Sequence, residues 1–205
     1  MVILNKNHIE KRILYILLKD IFVKHTVTSI SNKLKISRVG SWKALKKLED
    51  QNFIILSKIG SGKTNAFTIE LNWENPLVEK NLSTILTEQA LDNKRWINDF
   101  SDLEKYVDFL VIYGSILDEN NDAKDIDLLG VVSKKNYFVE IDKIIQKIQK
   151  TQIKKIHIIN FTPLEFRNEL INMNKAFIDC IKKGIVLFGC EKFIDFIRRL
   201  QNEHQ

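Results

Sequence analysis

Two stretches decide the fold of the second half of the chain: DFLVIYGS at residues 108–115 and DIDLLGVV at residues 125–132. Both are rich in the β-branched and large apolar residues that favour strands. Because alternate side chains of a strand point to the same side, Asp125 and Asp127 are predicted to present two carboxylates to one face. Two such charges repel each other unless a cation lies between them, and Mg²⁺ prefers oxygen ligands of this kind.

The Gly114-Ser115 pair at the end of the first stretch is predicted to approach a phosphate group. Glycine lets the backbone turn tightly, and Ser115 offers a hydroxyl at an expected helix start, where backbone N–H groups are free. Phosphoryl and nucleotidyl transfer depend mainly on charge neutralisation and orientation, which paired carboxylates and a cation supply. The alternative interpretation is that Asp125 and Asp127 form an ordinary polar turn before a strand.

These residues resemble the signature of the DNA polymerase β-like nucleotidyltransferase superfamily, in particular its small stand-alone, antitoxin-type members. The signature is Gly-Ser, a spacer, and Asp-x-Asp at the start of a hydrophobic strand, and the resemblance covers residues 108–195. It implies that Asp125 and Asp127 are catalytic residues and metal ligands and that Gly114 and Ser115 bind nucleotide. It also implies a nucleoside triphosphate as substrate or ligand, with Mg²⁺ or Mn²⁺ as cofactor.

One position departs from the pattern of that family. Many members carry a third carboxylate on a later strand, whereas the strand predicted at residues 155–161 contains no acid and has His157 in its place. Glu165, just beyond this strand, is the alternative third ligand. Because loss of one metal ligand suppresses chemistry more than nucleotide binding, the departure bears on catalysis first.

The first third of the chain carries the excess of positive charge. Residues 1–75 contain 13 Lys and Arg against 6 Asp and Glu, whereas residues 76–205 contain 19 against 20. This distribution favours a polyanionic partner for the N-terminal part, with a solvated Lys-rich surface as the alternative. Apolar residues at helical spacing predict three short helices, the second capped by Thr26 or Thr28 and the third by Ser37.

Two short strand-forming segments, residues 53–56 and 66–69, flank a glycine-containing turn at residues 60–63 and predict a β-wing. Residues 28–71 thereby resemble the winged-helix superfamily, in which the third helix enters the major groove of double-stranded DNA and the wing contacts phosphate or the minor groove. A winged helix used for protein association is the alternative. The expected DNA-binding residues are Arg38, Ser41, Trp42, Lys43, Lys46, Lys47, Lys58 and Lys63.

Domain organisation and compartment follow from composition and spacing. We expect an α/β (α+β) protein with a winged helix-turn-helix domain at residues 1–74, linker helices at 75–106 and a nucleotidyltransferase-like domain with a mixed sheet and flanking helices at 107–205. Cys180 and Cys190 belong to no CxxC pair, which argues against a zinc site or a disulfide framework. No apolar run approaches the roughly 18–20 residues of a membrane span, so a soluble cytoplasmic protein is expected.

Two functions are compatible with this pattern. The first is a DNA-binding nucleotidyltransferase that transfers a nucleoside monophosphate from the triphosphate to a hydroxyl acceptor on a protein or RNA. The second is a transcriptional regulator or antitoxin whose nucleotidyltransferase fold only binds nucleotide or a small helical protein partner. His157 in place of an acid is the feature that separates them.

Overall fold

A computed structural model describes residues 8–59, 66–118 and 123–203, which form a mixture of helices and two β-sheets. The chain divides into two compact units. The N-terminal unit contains the residues up to Ile85 together with those from Ile197 onward, and the central unit is Leu86–Phe196. The expected domain boundaries after residues 74 and 106 stay a prediction. No helix in the described part of the chain is both long and apolar enough to cross a membrane.

Three helices, a small sheet and parts of two later helices build the N-terminal unit. Side-chain caps define two of the helix starts: Thr26 accepts a hydrogen bond from the Ser29 N–H, and Ser37 accepts one from the Gly40 N–H. The apolar stripes of the helices are buried, as their spacing predicts, with Ile13, Ile30 and Leu45 fully inaccessible. The helices are α1 (Ile9–Lys19), α2 (Val27–Leu34) and α3 (Arg38–Asp50).

The sheet of this unit is antiparallel, with strand order β1-β3-β2. Its strands are β1 (His25–Thr26), β2 (Ile54–Ile59) and β3 (Ala66–Leu71). The inward residues Ile54, Ile69 and Leu71 are buried, whereas most of β2 is exposed. The turn predicted at residues 60–63 lies outside the described residues.

The end of the chain also belongs to the N-terminal unit, which the sequence pattern does not indicate. The Gln201 side-chain amide donates to the Leu17 carbonyl at 3.0 Å and accepts from the Trp73 indole N–H at 3.2 Å. Arg198 forms an ion pair with Glu79. Helices α4 (Pro76–Leu91) and α9 (Cys190–Asn202) therefore contribute residues to both units.

The central unit is built on a four-stranded mixed sheet of order β6-β5-β4-β7. Strands β5 and β6 run parallel, and the β4–β5 and β4–β7 pairs are antiparallel. The strands are β4 (Phe109–Tyr113), β5 (Asp125–Val131), β6 (Lys155–Phe161) and β7 (Ile185–Phe188). The other helices are α5 (Lys94–Phe100), α6 (Tyr137–Gln149), α7 (Pro163–Ile171) and α8 (Lys175–Lys183).

Both faces of this sheet are covered over most of their length. On one face Leu110, Ile112, Ile126 and Leu128 join a core that includes apolar residues of α5 and α6. On the other face lies an aromatic cluster in which Phe109 contacts Phe193 at a ring-centroid distance of 5.3 Å, with Phe166, Phe177 and Phe196 around them. The polar side chains at the start of β5 thus extend from a strand that packs on both of its faces.

The spacing of Phe166, Leu170, Met173, Phe177 and Ile181 predicts one helix, but this segment forms two helices, α7 and α8. Met173 has φ of 57°, which interrupts the α-helical backbone. Asn174 then caps α8 by accepting from the Ala176 N–H and donates to Glu169 at 2.7 Å. The single-helix interpretation is therefore wrong, because asparagine favours a new cap over a helix interior.

Candidate functional site

The two aspartates lie at the start of β5, on the same face of the sheet, with the buried Ile126 between them pointing to the opposite face. Asp127 is paired in register with Tyr113 on β4 and with His157 on β6. The structure thus places a phenol, a carboxylate and an imidazole side by side across three strands. The predicted alternative, a polar turn before the strand, does not describe this segment, because β5 begins at Asp125 itself.

Gly114 follows β4 directly and lies against the Asp127 carboxylate. Its φ of 82° and ψ of −167° fall in a backbone region that is essentially restricted to glycine. A Cβ atom added at this position would be 2.5 Å from the Asp127 Oδ2 atom. The glycine is therefore required both for the turn and for the close approach of the carboxylate.

Ser115 lies next to Gly114 and is exposed. It begins a 3₁₀ turn of three residues, Ser115–Leu117, in place of the helix start expected from the sequence. Because one turn of this kind has almost no macrodipole, a phosphate at this corner would depend on individual N–H and hydroxyl groups.

Two basic side chains on β6 flank the acids on the same face. In the parallel register Lys155 is opposite Asp125, and His157 is opposite Asp127. The His157 Nε2 atom lies 3.6 Å from Asp125 Oδ1, and the two side chains are 46% and 49% exposed. Lys155 is exposed. The face therefore carries two carboxylates, which could hold a cation, beside the ammonium group of Lys155, which would attract phosphate, and the imidazole of His157.

Burial alters the proton affinities of this row. It raises the pKa of Asp127, the neighbouring Asp125 charge raises it further, and His157 acts in the opposite direction. Burial also raises the pKa of Tyr113 to about 12, with smaller contributions from Cys180 and Asp127. The Tyr113 phenol is consequently protonated at neutral pH and available as a hydrogen-bond donor.

The donor set can be tested against the expected cation. Asp125 and Asp127 supply hard oxygen atoms on one face, which suits Mg²⁺ held by one or two carboxylates together with substrate phosphates. Within residues 8–59, 66–118 and 123–203, no group of three or more His, Cys, Asp and Glu side chains is placed to hold a metal ion. Asp125 and Asp127 are the two side chains that would hold such a cation.

Glu165 does not replace the third carboxylate. It stands at the third position of α7, where Thr162 and Glu165 form a reciprocal capping box, and it pairs with Lys135 at 2.5 Å. Asp125 is opposite Lys155, the first residue of β6, whereas α7 begins after Phe161, the last residue of β6. At 3.3 Å per residue, Lys155 and Phe161 are about 20 Å apart. The alternative assignment of Glu165 as a metal ligand is wrong because the side chain lies at the far end of the strand.

The candidate nucleic-acid interface is the outer face of α3. Arg38, Lys43 and Lys58 are exposed and have no ion-pair partner among the described residues. Lys46 pairs with Glu49 at 2.5 Å, and Lys47 pairs with Glu10 of α1 at 2.8 Å. Arg38 and Lys43 are thus the least neutralised cations on α3. Lys63 lies outside the described residues.

Two of the expected DNA contacts occupy other positions. Ser41 is fully buried with Ala44, Leu45 and Leu48 on the inner side of α3, so its expected placement on the outer face is wrong. Trp42 is partly buried and packs on Phe67 of β3 at a centroid distance of 5.4 Å. The Trp42 ring thus packs α3 against the small sheet. The Lys46 Nζ atom lies 5.2 Å from the centroid of the same ring.

Comparisons with known proteins identify no family. No protein-family model matches the chain, and no curated protein matches it. Two mutant structures of Lactococcus lactis ZitR are similar to part of it. A double mutant is 27% identical over 48% of this chain and 65% of the ZitR chain, and a single mutant is 26% identical over 51% and 69%. Both have a TM-score of 0.35, which does not establish a shared fold.

Two residues on these surfaces escaped the sequence reasoning. Tyr113 was part of the recognised motif but had no assigned role, because its position opposite Asp127 depends on the strand register. Val39 is absent from the expected contacts and is 66% exposed. Its spacing from Lys43 and Lys46 places it on their face of α3, and this signal was present in the sequence.

Proposed function

We propose that the chain is a DNA-binding nucleotidyltransferase. Its N-terminal unit would be a winged helix that binds double-stranded DNA through α3 and the β2–β3 wing. Its central unit would have the nucleotidyltransferase fold, bind a nucleoside triphosphate with Mg²⁺, and transfer the nucleoside monophosphate to a hydroxyl group. The proposal for the central unit rests on one observation: the Asp127 carboxylate lies directly against Gly114, with Asp125 on the same face.

The chemistry assigns a task to each side chain on this face. Asp125 and Asp127 would hold the cation, which neutralises the triphosphate charge when bound. Lys155 and the Gly114-Ser115 corner would contact phosphate oxygens. The acceptor oxygen forms a bond to the α-phosphorus, and the bond from that phosphorus to pyrophosphate breaks. The acceptor hydroxyl loses its proton, and His157 is the side chain beside Asp125 that could accept it.

The test of transfer uses the purified 205-residue chain. It is incubated with each of the four ribonucleoside triphosphates, labelled at the α-phosphate, with Mg²⁺ or Mn²⁺, in the presence of RNA and protein acceptors. We expect label to be transferred by the wild type and lost in Asp125→Ala and Asp127→Ala. His157→Ala should lower the rate by about 10²- to 10⁴-fold, as for loss of a general base, while nucleotide binding persists.

A matched control is Asp142→Ala, which removes an exposed acid from α6. It should leave transfer unchanged. Transfer that survives in Asp125→Ala, or equal loss in Asp142→Ala, would contradict the assignment of the site.

A second candidate function is favoured by His157. A histidine beside Asp127, where an acid would complete a three-carboxylate set, suits a regulator that binds nucleotide without turnover. Nucleotide binding that depends on Asp125 and Asp127, with no transfer to any acceptor, would support this function. In that case His157→Asp is expected to strengthen Mg²⁺ binding to the nucleotide complex, because it adds a carboxylate to the same face.

Reversing the charge of Lys43 and measuring the affinity for duplex DNA tests the proposed DNA binding. Lys43→Glu should weaken binding to duplex DNA and reduce the dependence of the affinity on salt, because fewer counterions are released. Lys143→Glu, an exposed lysine of α6, is the control. Lys47 is less suitable than Lys43 because reversing its charge also places two acids together at Glu10. Binding that is insensitive to both salt and Lys43→Glu would refute a DNA-binding role for α3.

A further inference from the structure

The outer face of α3 has an apolar side chain near the N-terminus of the helix. Its inner side is defined by the buried residues Ser41, Ala44, Leu45 and Leu48. Val39, Lys43 and Lys46 follow the spacing i, i+4, i+7 and occupy the opposite side. Val39 is 66% exposed and lies in the first turn of the helix. Valine has a lower helix propensity than alanine or leucine, and here its side chain is not buried.

The position of Val39 is where a recognition helix contacts bases, since its N-terminal residues reach the base edges in the major groove. A valine side chain has no hydrogen-bond donor or acceptor. Thymine is the base whose major-groove edge carries an apolar group, the C5-methyl. We infer that Val39 packs against a thymine methyl group and so selects thymine at one position of the DNA site. This inference rests on the proposed binding of DNA by α3.

The neighbouring charges fit this orientation of the helix. Lys43 and Lys46 continue the same stripe toward the C-terminus and would contact phosphates beside the thymine. Asp50 is the last residue of α3 and lies on the same stripe, seven residues after Lys43. Its negative charge would be repelled by DNA phosphates. Arg38 lies about 100° around the helix from Val39 and so starts from the side of this stripe. The proposed contacts therefore extend from Val39 to Lys46 and exclude the C-terminal end of α3.

The test removes one methyl group from the DNA. The 205-residue chain first selects duplexes from a random library, and the enriched duplex is remade with deoxyuridine in place of each thymine in turn. At one position the wild type should bind the thymine duplex about fourfold more tightly, which corresponds to about 0.8 kcal/mol for a buried methyl-sized group. Val39→Ala should bind both duplexes equally at that position. Lys43→Ala, the matched control, should weaken both duplexes alike.

Each outcome separates the inference from the function on which it rests. A wild type that binds the selected duplex but shows no preference for thymine over deoxyuridine at any position overturns the inference alone. The same conclusion follows if Val39→Ala keeps the wild-type preference. A wild type that selects no duplex and binds none at low salt overturns DNA binding and the inference with it. The deoxyuridine comparison uses the unaltered protein, so it is independent of how the variant folds.

Discussion

At the scale of single residues, the contact between Gly114 and Asp127 determines the geometry of the candidate nucleotide site. The Asp127 carboxylate occupies the space that a side chain at Gly114 would need. The carboxylate is also partly buried, which raises its pKa. Small changes at Gly114 should therefore affect ligand binding as well as stability.

Gly114→Ala tests this dependence. The new methyl group would lie 2.5 Å from Asp127 Oδ2, at a φ of 82° that alanine rarely adopts. We expect a loss of about 1–3 kcal/mol in the free energy of unfolding, measured with urea, and loss of nucleotide binding measured by calorimetry.

Gly130→Ala on β5, the strand that carries Asp127, is the matched control. Its methyl group would meet the Asn160 side chain at 2.6 Å, at the other end of β5. It should lower stability while nucleotide binding by the folded fraction is unchanged. Nucleotide binding that persists in Gly114→Ala would show that the site does not depend on this contact.

At the scale of elements, the start of α7 is held by a capping box with an added ion pair. Thr162 and Glu165 exchange hydrogen bonds, and Lys135 approaches Glu165 from the loop before α6. The Lys135 hydrogen bond, followed by those from Thr162, lowers the pKa of Glu165 to about 2 from an ordinary value of 4.5. This lowered pKa makes the helix start sensitive to acid.

The pH dependence follows from the sign of that shift. Because the pKa is lower in the folded chain, ionised Glu165 contributes stability above about pH 4.5 that is lost as the pH falls toward 2. Glu165→Gln should therefore be less stable than the wild type at pH 7, and the difference should vanish near pH 2. Urea unfolding at several pH values measures this, and salt should reduce the difference.

Two comparisons strengthen the measurement. Thr162→Ala removes the cap hydroxyl and should cost about 1 kcal/mol. Glu140→Gln breaks an exposed pair with Lys143 on α6 and should change stability by no more than about 0.5–1 kcal/mol. A difference between Glu165→Gln and the wild type that stays constant from pH 7 to pH 2 would be inconsistent with the charge as its cause.

At the scale of the whole molecule, the N-terminal unit is completed by the end of the chain. Gln201 joins the Leu17 carbonyl of α1 to the Trp73 indole, and Arg198 pairs with Glu79 of α4. The surface proposed to bind DNA therefore belongs to a unit whose stability depends on residues far away in sequence.

Gln201→Ala measures that dependence. It leaves the Leu17 carbonyl and the Trp73 N–H without this partner, and the loss of a hydrogen-bond partner at a partly buried group costs about 1–3 kcal/mol. We expect a lower midpoint of thermal unfolding and, at temperatures near that midpoint, weaker DNA binding. Gln146→Ala on the exposed side of α6 should change stability by less than about 0.5 kcal/mol. Equal stability of the two variants would show that the Gln201 contacts contribute nothing.

The sequence by itself determined the features that depend on neighbouring residues. The alternation of Asp125, Ile126 and Asp127 places both acids on one face of a strand, and Ser37 marks the start of α3. The apolar spacing of the helices also indicates which side is buried. These properties follow from the geometry of a strand or a helix, whatever lies next to it.

Only the tertiary structure decided which distant residues meet. Strand register set Tyr113 and His157 beside Asp127, and it left Glu165 at the far end of β6. Packing also buried Ser41, although a serine side chain is polar and is as compatible with an exposed position. It brought the Gln201 side chain to the Leu17 carbonyl. The physical reason is that contacts between separate elements depend on how the elements pair and pack, and no local spacing encodes that arrangement.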